Sequence, residues 1–501
     1  MTQMPIQPVR GPDAGSRAWA WRAGIAALVV VIGVAVLQRW PEAPPAAPPP
    51  GSPAFVAAEP QADLTGRFVL KMARSLRSLS PGQPAGDLTA NMDILARASK
   101  APADWVRSGI VAAELWRVEG DAAIGRGAAE PRLADAEKLL PRVKEDADRE
   151  ALERDIATLR AIYGADDAGS ADPVSMDAAV SPEARRELLE RYGYYGRVAL
   201  AYHLPDHASE RAMLFEGGGL LLLLTVGFIC AAGVAGLTGL VLLILGVVRI
   251  VGGGLRPRFA PPAPGGSVYV EAFVIFLVGF VGLSFVGGAV ASAFKGAEWV
   301  SPLLLLSNWL LVLVPLWVVA RGTPLADATR QLGLHRGRGV LREVGAGIAG
   351  YLAGLPLVFL SVIVALGLVM VQNAIVGTPD ATPRNPLFDR LATGDAAFLA
   401  ALFFMATVWA PLVEETVFRG CLYRHLSARL AFPLAGGLTA VTFGLVHGVP
   451  LPLTLPLMTL GFVFAFMRHW RGSLIASITA HALHNATVLT FAVSMLVLLR
   501  E

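Results

Sequence analysis

Near the C-terminus the chain carries six side chains of the kinds that hydrolyse amides: Glu414, Glu415, Arg419, His447, His481 and Asn485. Glu415 and Arg419 stand four positions apart, so on a helix they share a face and can pair. Glu414 is rotated about 100° away and is left without that partner. A carboxylate so placed suits a general base. His447 closes the run Phe443-Gly444-Leu445-Val446-His447, and His481 and Asn485 lie at i and i+4 on one helical face. Attack on a peptide carbonyl needs an activated nucleophile and donors for the developing oxyanion, and a low-dielectric cavity strengthens both. These six residues can supply that set.

All six fall in or beside apolar segments, where ionisable groups are costly and functional by default. The competing reading is a structural polar cluster that glues helices together. A lone Glu–Arg pair or a lone histidine would favour it; the gathering of all these groups between residues 414 and 485 favours chemistry. His484 sits off the His481–Asn485 face and reads as a packing or solvated residue. His425 and His469 fall between apolar segments and read as solvated. Cys230 and Cys421 form no CxxC pair, so neither a thiolate zinc site nor a disulfide framework is supported.

The segments that must position the six residues dominate the composition. Of 501 residues, 54% are hydrophobic and 16% charged, and the mean hydropathy is +0.55. Soluble chains run nearer 45–50% and about 25%. Apolar segments lie at about 216–248, 270–293, 300–320, 344–371, 396–413, 433–448, 451–467 and 474–498, with one more at Ala23 to Leu37. The pattern predicts an all-α polytopic bundle of eight core spans plus an N-terminal signal anchor. The spans 433–448 and 451–467 are near the lower length limit for crossing and are expected to be sheltered inside the bundle. Counting roughly 1.5 Å per residue from the cytoplasmic helix ends places Glu414 and His447 about 20–25 Å deep and His481 and Asn485 about 12–18 Å deep. The stretch 396–430 exceeds one straight crossing, so a tilt or a kink at Pro411 is required. Gly233, Gly236, Gly239, Gly279, Gly282 and Gly287-Gly288 read as sites of close helix packing.

The domain reading follows. Residues 1–40 are a basic tail and anchor, with a cleaved signal peptide as the other reading. Residues 41–58 are a Pro-rich linker, 59–213 a soluble helical domain, 214–395 the first half of the bundle, and 396–501 the catalytic membrane domain. Within 59–213, Leu64, Phe68, Met72, Leu76 and Leu79 recur at helical steps, as do Leu152, Ile156, Leu159 and Tyr163, and both read as buried stripes. Ser181-Pro182-Glu183 reads as an N-cap, a Pro at N1 and an acid in the first turn. The net charge of +3 names no partner, and no basic run interleaved with aromatics points to nucleic acid.

The motifs Glu-Glu-x-x-x-Arg, Phe-x-x-x-His and His-x-x-x-Asn, in that order on successive spans, resemble those of the CAAX prenyl protease and bacteriocin-processing (CPBP, or Abi) family of intramembrane glutamic endopeptidases. The resemblance covers about residues 396–490. It implies that Glu414 and His447 activate a water, that His481 and Asn485 stabilise the oxyanion, and that Glu415 and Arg419 hold the Glu414 helix. It implies no cofactor. A zinc site of Glu414, His447 and His481 stays geometrically open, although zinc signatures of the His-Glu-x-x-His kind are absent. The implied partners are a membrane-associated protein or peptide substrate and the lipid bilayer, with an extracytoplasmic protein partner for 59–213 left open. A non-proteolytic scaffold or regulator and a proton-coupled transporter are the alternative functions. Transport predicts broken helices in two symmetric halves, which the sequence lacks.

Arginines fix the orientation. Arg249, Arg256 and Arg258, then Arg321, Arg330, Arg336, Arg338 and Arg342, then Arg424 and Arg429, then Arg468 and Arg471 occupy alternate loops. These loops and the N-terminal tail are therefore expected in the cytoplasm. The Ala-, Gly- and Arg-rich composition reads as bacterial, which makes the inner membrane the expected location. The loop 321–343 should be cytoplasmic and the domain 41–213 external, so a thiol introduced in 60–200 should react with an impermeant reagent added to intact cells. Protection there would overturn the orientation.

Overall fold

The computed structural model describes residues 17–37, 60–79, 93, 96, 101–117, 122–164, 180–262, 266–294, 297, 300–376 and 396–500. Among these the secondary structure is helical, with no strand. The Pro-rich linker lies outside the described residues. The chain forms two compact units. One takes in the described parts of 1–41, 230–371 and 394–491, the other those of 42–229, 372–393 and 492–501.

The second unit holds α2 (Pro60–Leu79), α3 (Pro102–Trp116), α4 (Ala122–Leu139), α5 (Asp146–Gly164), α6 (Pro182–Tyr192), α7 (Tyr194–Leu200) and α8 (Ser209–Leu214). The stripe Leu152, Ile156, Leu159 and Tyr163 on α5 is buried in its core. The expected stripe on α2 is rotated. Leu76 and Leu79 are exposed, and the inward face is Gly66, Val69, Leu70 and Ala73. The reason is steric: a Cβ on Gly66 would meet the Tyr195 hydroxyl at 2.1 Å, so α2 closes on α7 through its smallest residues. The α6 start is as read, since the Ser181 hydroxyl accepts from the Ala184 N–H at 3.2 Å with Pro182 following.

The first unit is the membrane bundle. Among the described residues, seven helices are long and apolar enough to cross a bilayer. They include α9 (Gly218–Val251), α10 (Val268–Ala293), α11 (Leu303–Ala320), α13 (Val340–Val376, after the short α12, Leu325–Leu332) and α14 (Ala396–Ser427). The last two are α16 (Thr454–Arg471) and α17 (Ile475–Arg500). Shorter apolar stretches are Arg22–Leu37 of α1 (Arg17–Leu37) and α15 (Phe432–Leu445). Val31 and Val34 of α1 enter the same buried cluster as Phe273, Phe418 and Phe443. Helix α15 is not wholly sheltered: Leu434, Leu438 and Val441 are exposed along one side. Close packing holds at Gly236, Gly239, Gly279 and Gly287, where an added Cβ would come within 3.1 Å of a neighbouring helix, whereas Gly233, Gly282 and Gly288 face open space.

A polar knot fixes where α17 begins. Arg471 meets Glu343 through two 2.7 Å hydrogen bonds, the Leu474 N–H donates to Gly333 O at 2.9 Å, and Ser473 Oγ donates to His335 O at 2.7 Å. Gly333 has φ +91°, and a Cβ there would strike the Arg468 guanidinium at 2.2 Å. Only glycine fits that approach.

In the helical unit, Asp206 receives Arg74, Arg117 and Arg211, and Arg211 is fully buried. Burial pushes the Asp206 carboxyl up, but the hydrogen bond from Arg74 and the charges of Arg74, Arg117 and Arg211 outweigh it and hold it at about 2. A depressed folded-state pKa gives stabilisation that is complete above the unfolded value of 3.8 and is lost as pH falls toward 2. Thermal unfolding of the detergent-purified chain should therefore show a falling midpoint between those pH values. Asp206→Asn should lower the midpoint at neutral pH and flatten that part of the profile.

Candidate active site

The site is assembled from α14, α15, α16 and α17. Helix α14 is one continuous rod interrupted by two π segments, Met405–Trp409 and Glu415–Leu422. The extra length of 396–430 is thus absorbed by π turns, and Pro411 sits in the first turn of the short α segment Ala410–Glu414 between them. π turns admit an extra residue per turn and release backbone carbonyls from the regular ladder. Ala406 O is one such carbonyl, and it accepts from Asn485 Nδ2 at 2.7 Å.

Glu415 and Arg419 pair as their spacing predicts, both fully buried, with Arg419 Nη1 donating to Glu415 Oε1 at 2.7 Å. Arg419 Nη2 donates to Gly461 O at 3.0 Å. The rings of Phe443, Phe464 and Phe418 lie 4.4, 5.2 and 5.9 Å from the guanidinium carbon, within cation–π range. Glu415 also accepts from His481 Nδ1 at 3.1 Å. That bond puts a proton on Nδ1, because a carboxylate only accepts. His481 is further held by stacking on Phe464, with centroids 5.2 Å apart.

Glu414 faces the two histidines. Its Oε2 is buried, has no hydrogen-bond partner, and lies 4.0 Å from Nε2 of His447 and 4.0 Å from Nε2 of His481. His447 Nδ1 donates to Phe443 O at 2.5 Å, which leaves Nε2 of the neutral ring as an acceptor. Neither histidine is close enough to bond Glu414 directly, but a water oxygen about 2.8 Å from both atoms of either pair would bridge it. The histidine exposures differ: the His447 side chain is 30% exposed and His481 6%. His447 therefore stands on the open side of the site and His481 on the closed side.

The structure brings Glu414, Glu415, Arg419, His447 and His481 into one cluster and gives the Asn485 amide to Ala406 O. His484 packs on Tyr351, with ring centroids 5.9 Å apart. His425 and His469 correct the sequence reading, for both lie in helices. His469 stacks on Phe432 at 4.6 Å and bonds Tyr423 Oη at 2.8 Å, because α16 runs four residues past its apolar stretch. Gly461 and Phe464 were not singled out from sequence. Their signal was a small residue and an aromatic three apart on the span between two polar ones.

For a metal, the fit is poor. Among the described residues no three His, Cys, Asp or Glu side chains are placed to hold an ion. The 4.0 Å gaps from Glu414 to the histidines exceed the roughly 3.3 Å between ligand atoms of a tetrahedral zinc with bonds of about 2.0–2.1 Å.

The family comparison covers this same region. Residues 396–487 match the family model described as type II CAAX prenyl endopeptidase Rce1-like. The match begins at the first residue of α14 and ends beyond Asn485, so all six site residues lie within the matched segment. No curated protein and no solved structure matches the chain.

Arg419 is completely enclosed, so losing its counter-charge should unfold rather than merely slow the protein. Glu415→Gln should cost about 3–5 kcal/mol, the usual penalty for stranding a buried charge, read as a lower melting midpoint in detergent. Adding Arg419→Met should restore much of that stability. It should not restore activity, because the hydrogen bond that orients His481 is still weakened. An unchanged midpoint in the single variant would remove the pair from its structural role.

Proposed function

We propose that the chain is an intramembrane endopeptidase of the bacterial inner membrane, acting on a membrane-associated protein without a metal. The observation that carries this reading is the shared approach of His447 and His481 to one buried, unpartnered oxygen of Glu414. A water held there loses its proton to Glu414 as it attacks the peptide carbonyl. Neutral His447, with its Nδ1 proton committed to Phe443 O, presents Nε2 to the same water and orients it.

His481 takes the oxyanion. With Nδ1 bound to Glu415, its Nε2 can donate only when the ring is protonated. The carboxylate of Glu415 supports that charge. Asn485 has one N–H on Ala406 O, and its second N–H is the one free for the oxyanion. After attack, the proton on Glu414 passes to the leaving amine. Glu415 and Arg419 hold the frame and do not touch substrate.

Comparison of membrane proteomes from cells expressing wild type and Glu414→Gln gives the direct test. Base catalysis is worth about 10²–10⁴-fold, so uncleaved substrates should accumulate in the variant although it folds normally. The wild-type activity should persist in chelator. Equal cleavage by both proteins would end the peptidase reading. Loss in chelator with rescue by zinc would recast Glu414, His447 and His481 as ligands.

A further inference from the structure

The hairpin of α15 and α16 is short for its surroundings. Helix α15 has 14 residues and α16 has 18, or about 21 and 27 Å at 1.5 Å per residue. Their neighbours α14 and α17 run 32 and 26 residues. One end of the hairpin is marked as the water interface by Trp470 and, across the turn into α15, Arg429, beside the buried Arg468 and Arg471. From there α15 falls short of the far edge of a hydrocarbon layer about 30 Å thick, whereas α16 with the turn Leu451–Leu453 ahead of it runs 21 residues.

The connection at that far end is Val446-His447-Gly448-Val449-Pro450-Leu451-Pro452-Leu453, in which His447 alone has a polar side chain. Non-helical backbone at membrane depth is tolerated only when its polar groups are satisfied or line a cavity. This segment meets that condition partly by its chemistry and partly by bordering a cavity. Pro450 and Pro452 bring no N–H, the N–H groups of Val446, His447 and Leu453 bond to Thr442 O, Gly444 O and Pro450 O within the hairpin, and those of Gly448, Val449 and Leu451 have no backbone acceptor there. Leu451 nevertheless stands 64% exposed, four residues from His447, whose imidazole is the open side of the site.

We infer that the tip Val446–Leu453 is the intramembrane mouth of the active site and that Leu451 is a specificity-determining residue, which packs on apolar side chains flanking the scissile bond. This rests on the endopeptidase reading and adds to it where the substrate is cut. The bond lies below the headgroups, in an apolar stretch of polypeptide that reaches Glu414 past His447.

Two measurements test the two halves. For depth, Leu451→Cys is spin-labelled in chain carrying Cys230→Ser, with the fully buried Cys421 left in place, and reconstituted in vesicles. Molecular oxygen should relax the label strongly and a water-soluble nickel chelate weakly, while Leu325→Cys, at an exposed loop end, should show the reverse. Chelate access at 451 equal to that at 325 overturns the placement. For specificity, Leu451→Asp should lower the yield of Glu414-dependent cleavage products about tenfold or more, with Leu451→Met close to wild type and both melting normally. The cut sites should be flanked by apolar residues. Undiminished cleavage by Leu451→Asp, or cut sites in polar segments, overturns the role of Leu451. Absence of any Glu414-dependent product overturns the endopeptidase reading and the specificity half with it, while the label alone still decides the depth of the tip.

Discussion

The buried pair of Glu415 and Arg419 is the interaction on which the membrane bundle turns. An uncompensated charge in a low-dielectric interior costs several kcal/mol even after relaxation, so each member needs partners, although Arg419 Nε and Glu415 Oε2 are buried without one. Arg419 spends one nitrogen on Glu415, another on Gly461 O, and its faces on three phenylalanines. Glu415 uses the same oxygen to take His481. Four helices meet through these contacts: α14 supplies the pair, α15 Phe443, α16 Gly461 and Phe464, and α17 His481. The pair is thus the pin that sets the helices bearing Glu414, His447 and His481 at a fixed spacing.

The π segments are the second element of that geometry. They bracket Ala410–Glu414, so the direction in which Glu414 points is set by two widened turns rather than by one regular helix. A widened turn would cost stability if its freed carbonyl stayed bare in an apolar setting. Asn485 removes that cost at Ala406, and in doing so it ties α17 to α14 a turn beyond the Glu415–His481 bond. Asn485 therefore combines a structural task with the donor role that its motif position implies.

The sequence was most legible where chemistry and spacing coincide. Glu415 and Arg419 pair at i and i+4, His447 and His481 meet at Glu414, and the apolar segments are helices close to where hydropathy puts them. What escaped was set by backbone detail or by long-range packing. No residue pattern announces a π turn, so the long sixth span read as a proline kink. The inward face of α2 follows from Gly66 fitting under Tyr195, a contact 129 positions away in the chain, and not from its large apolar residues. His469 read as solvated because loops were drawn where hydropathy falls. The helix continues past that point, supported by aromatic rings of two other segments.

The last helix also joins two parts of the chain that are made at opposite ends of synthesis. Lys71 Nζ donates to Leu498 O at 2.7 Å, across 427 positions of sequence, and His481 lies on the same helix. Residues 492–501 are counted within the helical unit. The helical unit and the cluster around Glu414 thus draw on one and the same helix, so neither can be complete until the residues of that helix have left the ribosome.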